Sequence, residues 1–165
     1  MSGFGVRTGI GYDVHQFADD RPLVLGGVHI PHERGLLGHS DADALLHAIA
    51  DALLGAAALG DIGAHFPPTD PAFKDADSAE LLRASCTLVR QAGYVIGNLD
   101  ATVIAEAPRI NPHVAAMKVA IADACGIGTD QVSVKATTNE RMGFVGRAEG
   151  IAALAIATIM REERG

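Results

Sequence analysis

The sequence predicts an α+β fold in which helices layer on one sheet, and three observations carry that prediction. Several short runs alternate apolar and polar residues at period two, the signature of half-buried strands. Three other runs repeat apolar residues at helical spacing. The runs follow one another in the order β-β-α-α-β-α-β-β, which suits an α+β or split βαβ layer of helices on a sheet. A chain of 165 residues fits one domain, residues 1–165, with a sizeable core. No repeat, low-complexity stretch or linker interrupts it.

The first strand is VRTGIGYDVHQF, with Gly9 and Gly11 admitting something close to the backbone. PLVLGGVHIP follows as two short β-like runs around Gly26–Gly27, an extra hairpin, and HERGLLG is a loop. HSDADALLHAIADALLGAAALG reads as a helix. Ser40 with Asp43 resembles a capping box, and Asp41 and Asp43 suit the positive end of its dipole. Leu45, Ile49 and Leu53 form one apolar row and Leu46, Ala50 and Leu54 a neighbouring one, so this helix is expected to be well buried, ending at Gly60.

DIGAHFPPTDPAFKDAD is a long loop, of the kind that is usually functional or mobile. Ser78 caps a second helix stopped by Gly93. NLDATVIAEAP is a strand. NPHVAAMKVAIADACG is a third helix, with Asn111 as cap and Pro112 at its first position. QVSVKATT is a strand and NERMGFVGRAEG a glycine-rich connection. In the last run, IAALAIATIM, alanine favours helix, whereas the alternation Leu154, Ile156, Thr158 favours strand; we read it as a strand.

Composition narrows the function. Hydrophobic residues make up 48% and aromatics 4%, with no Trp, so Ala, Val, Leu and Ile fill the core and elements can pack closely. A net charge of −7 argues against a nucleic-acid backbone as partner but permits a phosphorylated small molecule at a metal-loaded or locally positive site. Cys86 and Cys125 form no CxxC pair and read as buried free thiols. The N-terminal stretch lacks the pattern of a signal peptide, and GIAALAIATIM is too short to span a bilayer, so a soluble, cytoplasmic protein without a membrane partner is expected. There is no GxGxxG running from strand into helix, no P-loop and no GxSxG elbow.

Among seven histidines, three stand out. Asp13 and His15 lie two apart on a strand and so share a face. His47 lies on the apolar helix, where a polar ring needs a partner. Together the three make a ligand set that leaves one position open, the pattern of a catalytic rather than structural zinc. The alternatives are a solvated edge strand and a core histidine bonded to backbone. His39 and Ser40 precede a helix N-terminus that suits an anion, although Ser40 also serves as a cap. In KATTNE, Thr137 and Thr138 can bond phosphate oxygens and Glu140 can hold a hard divalent cation, unless the segment is an ordinary surface turn.

Five blocks taken in order resemble a single family over nearly the whole chain: GYDVHQF, GGVHIPHERGLLGHSDADALLHAIADALLGAAALGDIG, FPPTDPAFKDADS, NLDATVIAEAPRINPH and VSVKATTNERMGFVGRAEGIA. The family is the 2-C-methyl-D-erythritol 2,4-cyclodiphosphate synthases of the non-mevalonate isoprenoid pathway. The resemblance implies one mainly four-stranded mixed sheet, assembly as a homotrimer, and active sites between neighbouring subunits. It implies zinc on Asp13, His15 and His47, and His39 and Thr138 as stabilisers of the transferring phosphate. Asp13 and His15 also touch the substrate in this reading.

The diphosphate falls to His39 and Ser40, to Asp61, Ile62 and Gly63, and to the loop Phe66, Pro67, Thr69 and Asp70. The cytidine pocket is similar to one built from Ala105, Ala107, Pro108, Arg109, Ile110 and Asn111 with Thr137, Thr138 and Glu140, partly from the adjacent subunit. Glu140 matches the ligand of a second divalent ion, Mg2+ or Mn2+. Phe144 and Arg147 match residues near the trimer axis, where some members hold an isoprenoid diphosphate. Two positions depart from the pattern: Pro68 stands where an acidic residue is usual, and Asn139 where Thr is frequent. Two rivals carry other expectations. A metal-dependent phosphohydrolase would need a base such as Asp41 or Asp43 beside a water. A trimeric binding protein for a nucleotide or prenyl diphosphate would use its zinc for structure alone.

Overall fold

The computed structural model describes residues 5–73 and 76–161; Lys74 and Asp75 of the long loop lie outside them, as do both chain ends. Strand β1 (Val6–Ala18) is followed by the hairpin β2 (Leu23–Leu25) and β3 (Val28–Ile30), by a two-residue β4 (Gly35–Leu36) and by helix α1 (Ala44–Ala56). Then come the single turn α2 (Ile62–His65), α3 (Ser78–Gln91), β5 (Tyr94–Ile104), α4 (Val114–Cys125), β6 (Val132–Thr137), the single turn α5 (Gly143–Gly146) and β7 (Gly150–Arg161).

The main sheet runs β4-β1-β7-β5-β6. Only β5 and β6 are parallel, joined by the α4 crossover; every other pairing is antiparallel, so the sheet is mixed. Four strands are long and the fifth, β4, pairs two residues with the end of β1. The expected α+β layering, main sheet and separate hairpin are all present. Gly26 and Gly27 turn the hairpin with φ of 61° and 73°, the left-handed values that a two-residue loop demands.

Helix α1 packs on β1 and β7. Ten of its 13 residues are buried, the two predicted rows among them. Full burial of a Leu or Ile contributes about 1.5–3 kcal/mol, so this helix anchors the core. The helix can come this close because β1 offers glycine where it passes. A Cβ on Gly9 would sit 2.0 Å from Ala52 O, and one on Gly11 1.9 Å from Ala48 O. On β7, Ala153, Ala155 and Ala157 are fully or almost fully buried on the same side. Pairing with β1 on one edge and β5 on the other outweighs alanine's helical preference, which is why the last run is a strand.

Helix starts differ from their predicted caps. Helix α1 begins at Ala44 and is capped by Asp43, whose Oδ1 accepts the Leu46 N–H at 3.0 Å; Ser40 is not its cap and Asp41 lies outside it. It ends at Ala56, before Gly60. Asp77, not Ser78, caps α3, accepting the Ala79 N–H at 2.8 Å. Asn111 begins a short 3-10 turn, Asn111–His113, so α4 starts only at Val114 without a side-chain cap. Pro112 accounts for that turn, since it has no N–H and fixes φ where the chain enters the helix. The long loop contains α2 and a 3-10 turn, Pro71–Phe73, and the glycine-rich connection contains α5.

The sheet's other face is apolar and uncovered among the described residues. Val6, Ile10, Tyr12 and Val14 of β1 alternate outward, opposite Leu154, Ile156 and Met160 of β7. Their exposures run from 38% to 66%, far above the burial expected of large apolar side chains on a sheet.

Candidate metal centre and nucleotide pocket

The inward face of β1 carries Gly9, Gly11, Asp13 and His15 in succession. The two glycines draw in α1 at Ala52 and Ala48, and the next helical residue towards its start is His47. The tight strand–helix packing therefore delivers a helical imidazole onto the strand's carboxylate and imidazole. His15 Nε2 is 2.9 Å and His47 Nδ1 3.0 Å from Asp13 Oδ2, and the two ring nitrogens are 3.3 Å apart. One ligand atom from each of the three residues lies within 4.8 Å of the others, as a single ion requires.

The donors fit a cation. His15 Nδ1 donates to Leu37 O at 2.7 Å, which leaves Nε2 with a bare lone pair facing the cluster. Asp13 Oδ2 is a second acceptor at the same point, and His47 Nδ1 meets both. At such distances the three atoms need positive charge between them, from a metal ion or, without one, from ring protons that the imidazoles donate to Asp13. Burial opposes ionisation of Asp13, but hydrogen bonds with His15 and His47 outweigh it and hold the carboxyl at about 2. Burial likewise disfavours the His15 cation, yet its bond to Asp13 raises its pKa. Two imidazoles and a carboxylate with a fourth position open is a donor set suited to catalytic zinc.

Asp43 is fully buried between α1 and the hairpin. It accepts the Gly26 and Gly27 N–H groups at 2.9 and 2.7 Å as well as that of Leu46. Burial pushes its carboxyl upward against those three bonds. Its position rules it out as a base beside a water at the metal centre, which removes one of the two candidates that a phosphohydrolase would need. Asp41, the other, is occupied by the start of α3.

His39 is exposed within the β4–α1 connection and Ser40 is buried, its Oγ accepting the Ala42 N–H at 3.1 Å. Asp61 caps α2, accepting the Ala64 N–H at 2.8 Å, and Asp51 on α1 holds the same turn through the Ile62 N–H at 2.7 Å. Phe66 packs edge-on against Phe73, and Pro67, Pro68, Thr69 and Asp70 follow at the surface.

A cavity of about 520 Å3 opens where the parallel strands β5 and β6 end. It joins the two segments that the sequence pairs: Ala105, Pro108, Arg109, Ile110 and Asn111 on one side, Thr137 and Thr138 on the other. The Ala107–Pro108 peptide bond is cis. Glu106, which the sequence reading did not single out within Ala105–Asn111, also lines this cavity. Its Oε1 accepts the N–H groups of Asn139 at 2.9 Å and Arg141 at 3.1 Å, across 33 and 35 residues of chain. Between them Glu140 and Arg141 adopt φ of 50° and 62°, an unfavourable region for side-chain-bearing residues. Glu140 is exposed, beyond the residues that line the cavity, on a strained turn that Glu106 clamps. Among the described residues Glu140 belongs to no group of three metal-capable side chains. Lys135 is paired with Asp100, so its charge is not offered to the pocket. A second cavity, about 800 Å3, lies against His15, Phe17, Arg34, Phe144 and Glu149; Arg147 pairs with Glu149 at 2.6 Å.

A mixed-sheet α+β protein with an Asp-His-His group able to hold a metal ion and a cavity of about 520 Å3 at the ends of two parallel strands is the class these features define. Residues 6–160 match the YgbB family model, and the chain belongs to that family. It is 59% identical over 165 residues to the 2-C-methyl-D-erythritol 2,4-cyclodiphosphate synthase of Cupriavidus necator, covering 100% of this chain and 98% of that protein. A solved structure of the Plasmodium falciparum IspF in complex with CDP superposes with a TM-score of 0.84 at 34% identity, covering 98% of this chain and 100% of that one. The bifunctional IspDF of Campylobacter jejuni gives a TM-score of 0.93 at 43% identity; 98% of this chain corresponds to 44% of that longer one.

Proposed function

We propose that this chain is a cyclising phosphorus–oxygen lyase of isoprenoid biosynthesis. It converts 4-diphosphocytidyl-2-C-methyl-D-erythritol 2-phosphate to 2-C-methyl-D-erythritol 2,4-cyclodiphosphate and CMP. The observation that carries the reading is the full-length identity to synthases of that name in a chain whose Asp13, His15 and His47 converge as metal donors.

The chemistry suits what the chain has and lacks. The 2-phosphate of the substrate is already ionised and attacks the β-phosphorus intramolecularly, so no serine, cysteine or lysine nucleophile is required. The protein's task is to fold a polyanion back on itself, and positioning with charge neutralisation is the main lever for phosphoryl transfer. Zinc on Asp13, His15 and His47 and a Mg2+ or Mn2+ on Glu140 would supply Lewis-acid polarisation and offset the substrate's charge. The cavity between Ala105–Asn111 and Thr137–Thr138 takes the cytidine. His39 and Thr138 donate to the transferring phosphate. Ser40, the Asp61–Gly63 turn and the Phe66–Asp70 loop orient the diphosphate.

The functional unit in this reading is a homotrimer. The uncovered apolar face of β1 and β7 supports it, because burial against a second copy would remove that surface from water. Phe144 and Arg147 then lie near the axis, where an isoprenoid diphosphate fits.

Incubating the purified chain with the diphosphocytidyl substrate, with and without chelator, tests the reading. CMP and the cyclodiphosphate are expected in equal amounts, lost on chelation and restored by zinc. Release of inorganic phosphate would make it a hydrolase, and CDP binding without turnover would make it a binding protein. Elemental analysis should find about one zinc per chain, and native mass spectrometry should find trimers.

A further inference from the structure

The connection between β1 and β2 reaches across to the segment that carries His39. Asp20 takes a left-handed φ of 58° and turns the chain. Arg21 follows, biased to extended backbone by Pro22 after it. The connection lies close against β4 because Gly35 has no side chain: a Cβ there would sit 2.5 Å from Arg21 O and 2.3 Å from Pro22 O. From that place the half-buried Arg21 side chain spans to the β4–α1 connection. Its Nη1 donates to Gly38 O at 3.1 Å and its Nη2 to Ser40 O at 2.6 Å.

The two acceptors flank His39. Among the described residues no other hydrogen bond reaches the backbone of Gly38, His39 or Ser40, and none reaches the His39 ring. An exposed imidazole without a partner is placed by its main chain, and here one guanidinium holds that main chain on both sides. A guanidinium is planar, always charged, and presents its N–H groups as a rigid fork. Its bonds are about twice as strong as neutral ones, so two of them on carbonyls either side of one residue fix the position and the twist of the bend. The same bend borders the candidate metal centre. Leu37 O accepts from His15 Nδ1 at 2.7 Å, and a Cβ on Gly38 would lie 3.1 Å from His15 Cε1. A shift of the bend therefore moves His39 relative to the candidate ligands.

We propose that Arg21 is a positioning residue, whose guanidinium fork fixes the bend Gly38–Ser40 and thereby sets the His39 ring for the transferring phosphate. The purpose rests on the role given to His39 above; the fixing of the bend does not. A group held in place beforehand needs no ordering at the moment of reaction, and a misplacement of about 1 Å costs up to about 100-fold in rate.

Steady-state kinetics of Arg21→Ala, Arg21→Lys and His39→Ala, and of each Arg21 variant combined with His39→Ala, tests this. Circular dichroism confirms folding, and hydrogen–deuterium exchange of residues 37–43 reads the bend itself. Arg21→Ala should lower kcat about 10–100-fold, change KM less than about threefold, and exchange faster over that segment. On top of His39→Ala it should change kcat by less than about twofold, because a residue acting through His39 has nothing left to place. Arg21→Lys keeps the charge but not the fork and should behave like Arg21→Ala; it decides the matter if Arg21→Ala does not fold. An equal loss of kcat with and without His39 would make Arg21 merely structural and overturn the proposal. So would Arg21→Lys with wild-type kcat and exchange. His39→Ala with wild-type kcat would overturn the role of His39 and this proposal with it. A wild type that makes no cyclodiphosphate would overturn the function proposed above; exchange then judges the fork, faster rates in the Arg21 variants upholding it and unchanged rates overturning it.

Discussion

Replacing Gly11 by alanine should damage the metal centre without touching a ligand. The added Cβ would lie 1.9 Å from Ala48 O, 2.8 Å from Ala52 N and 2.9 Å from Ala48 C, all of them backbone atoms of α1 that no rotamer change can move. An unstrained carbon–oxygen contact begins at about 3.3 Å. The strand and helix must therefore separate by about 1.4 Å at a point adjacent to His47. The donors now stand 2.9–3.3 Å apart, and metal ligation tolerates errors of only about 0.2 Å. Overpacking of this kind costs about 3 kcal/mol, at the upper end of the usual range because both sides are main chain. For a chain of this length that lowers the thermal midpoint by about 6–12 °C. Differential scanning calorimetry and zinc titration of G11A check both effects. A midpoint within 2 °C of wild type together with unchanged zinc affinity would refute the claim that this close approach builds the site.

Gly55 is the control: a Cβ there meets nothing nearer than Ile10 O at 3.9 Å, on an exposed position of α1. Gly55→Ala should raise stability by about 0.5–1 kcal/mol, read as a higher urea midpoint. In the metal-free protein, Asp13 has a folded pKa of about 2, below its unfolded 3.8, so its contribution of about 2 kcal/mol is complete above pH 4 and lost as pH falls towards 2. His15 is shifted the other way: its contribution is complete below pH 6.5 and lost as pH rises through its raised pKa. Urea unfolding of wild type and D13N across pH 2–9 should therefore show the acid-side difference disappear near pH 2. Glu106→Ala should release the Asn139–Arg141 turn and raise KM for the substrate about tenfold, from two lost bonds of about 1 kcal/mol each offset in part by water, whereas Glu106→Gln, which keeps an acceptor, should stay near wild type. Steady-state kinetics separates the two.

The sequence by itself determined the elements that depend on neighbours along the chain. The two apolar rows of α1, the Gly26–Gly27 hairpin and the strand pairing Asp13 with His15 on one face all follow from periods of 3.6 and 2 and from local turn chemistry. Even the close approach at Gly9 and Gly11 was legible, because a glycine inside a strand often marks a place where another backbone comes near. Helix caps were less legible. Ser40, Ser78 and Asn111 all have capping chemistry, but Asp43 won at α1 because it also satisfies two hairpin N–H groups, a contact 16 and 17 residues away in sequence.

Only the tertiary structure decided what lies behind and beside the candidate ligands. Ser78 reaches His47 across 31 residues and Asp41 across 37, and Glu106 clamps a turn 33 residues on. A serine or carboxylate at such a position looks like an ordinary cap or surface group in one dimension. Its partner is chosen by how α1, α3 and the strand ends pack, and packing is set by the sum of many apolar contacts rather than by any local residue pattern.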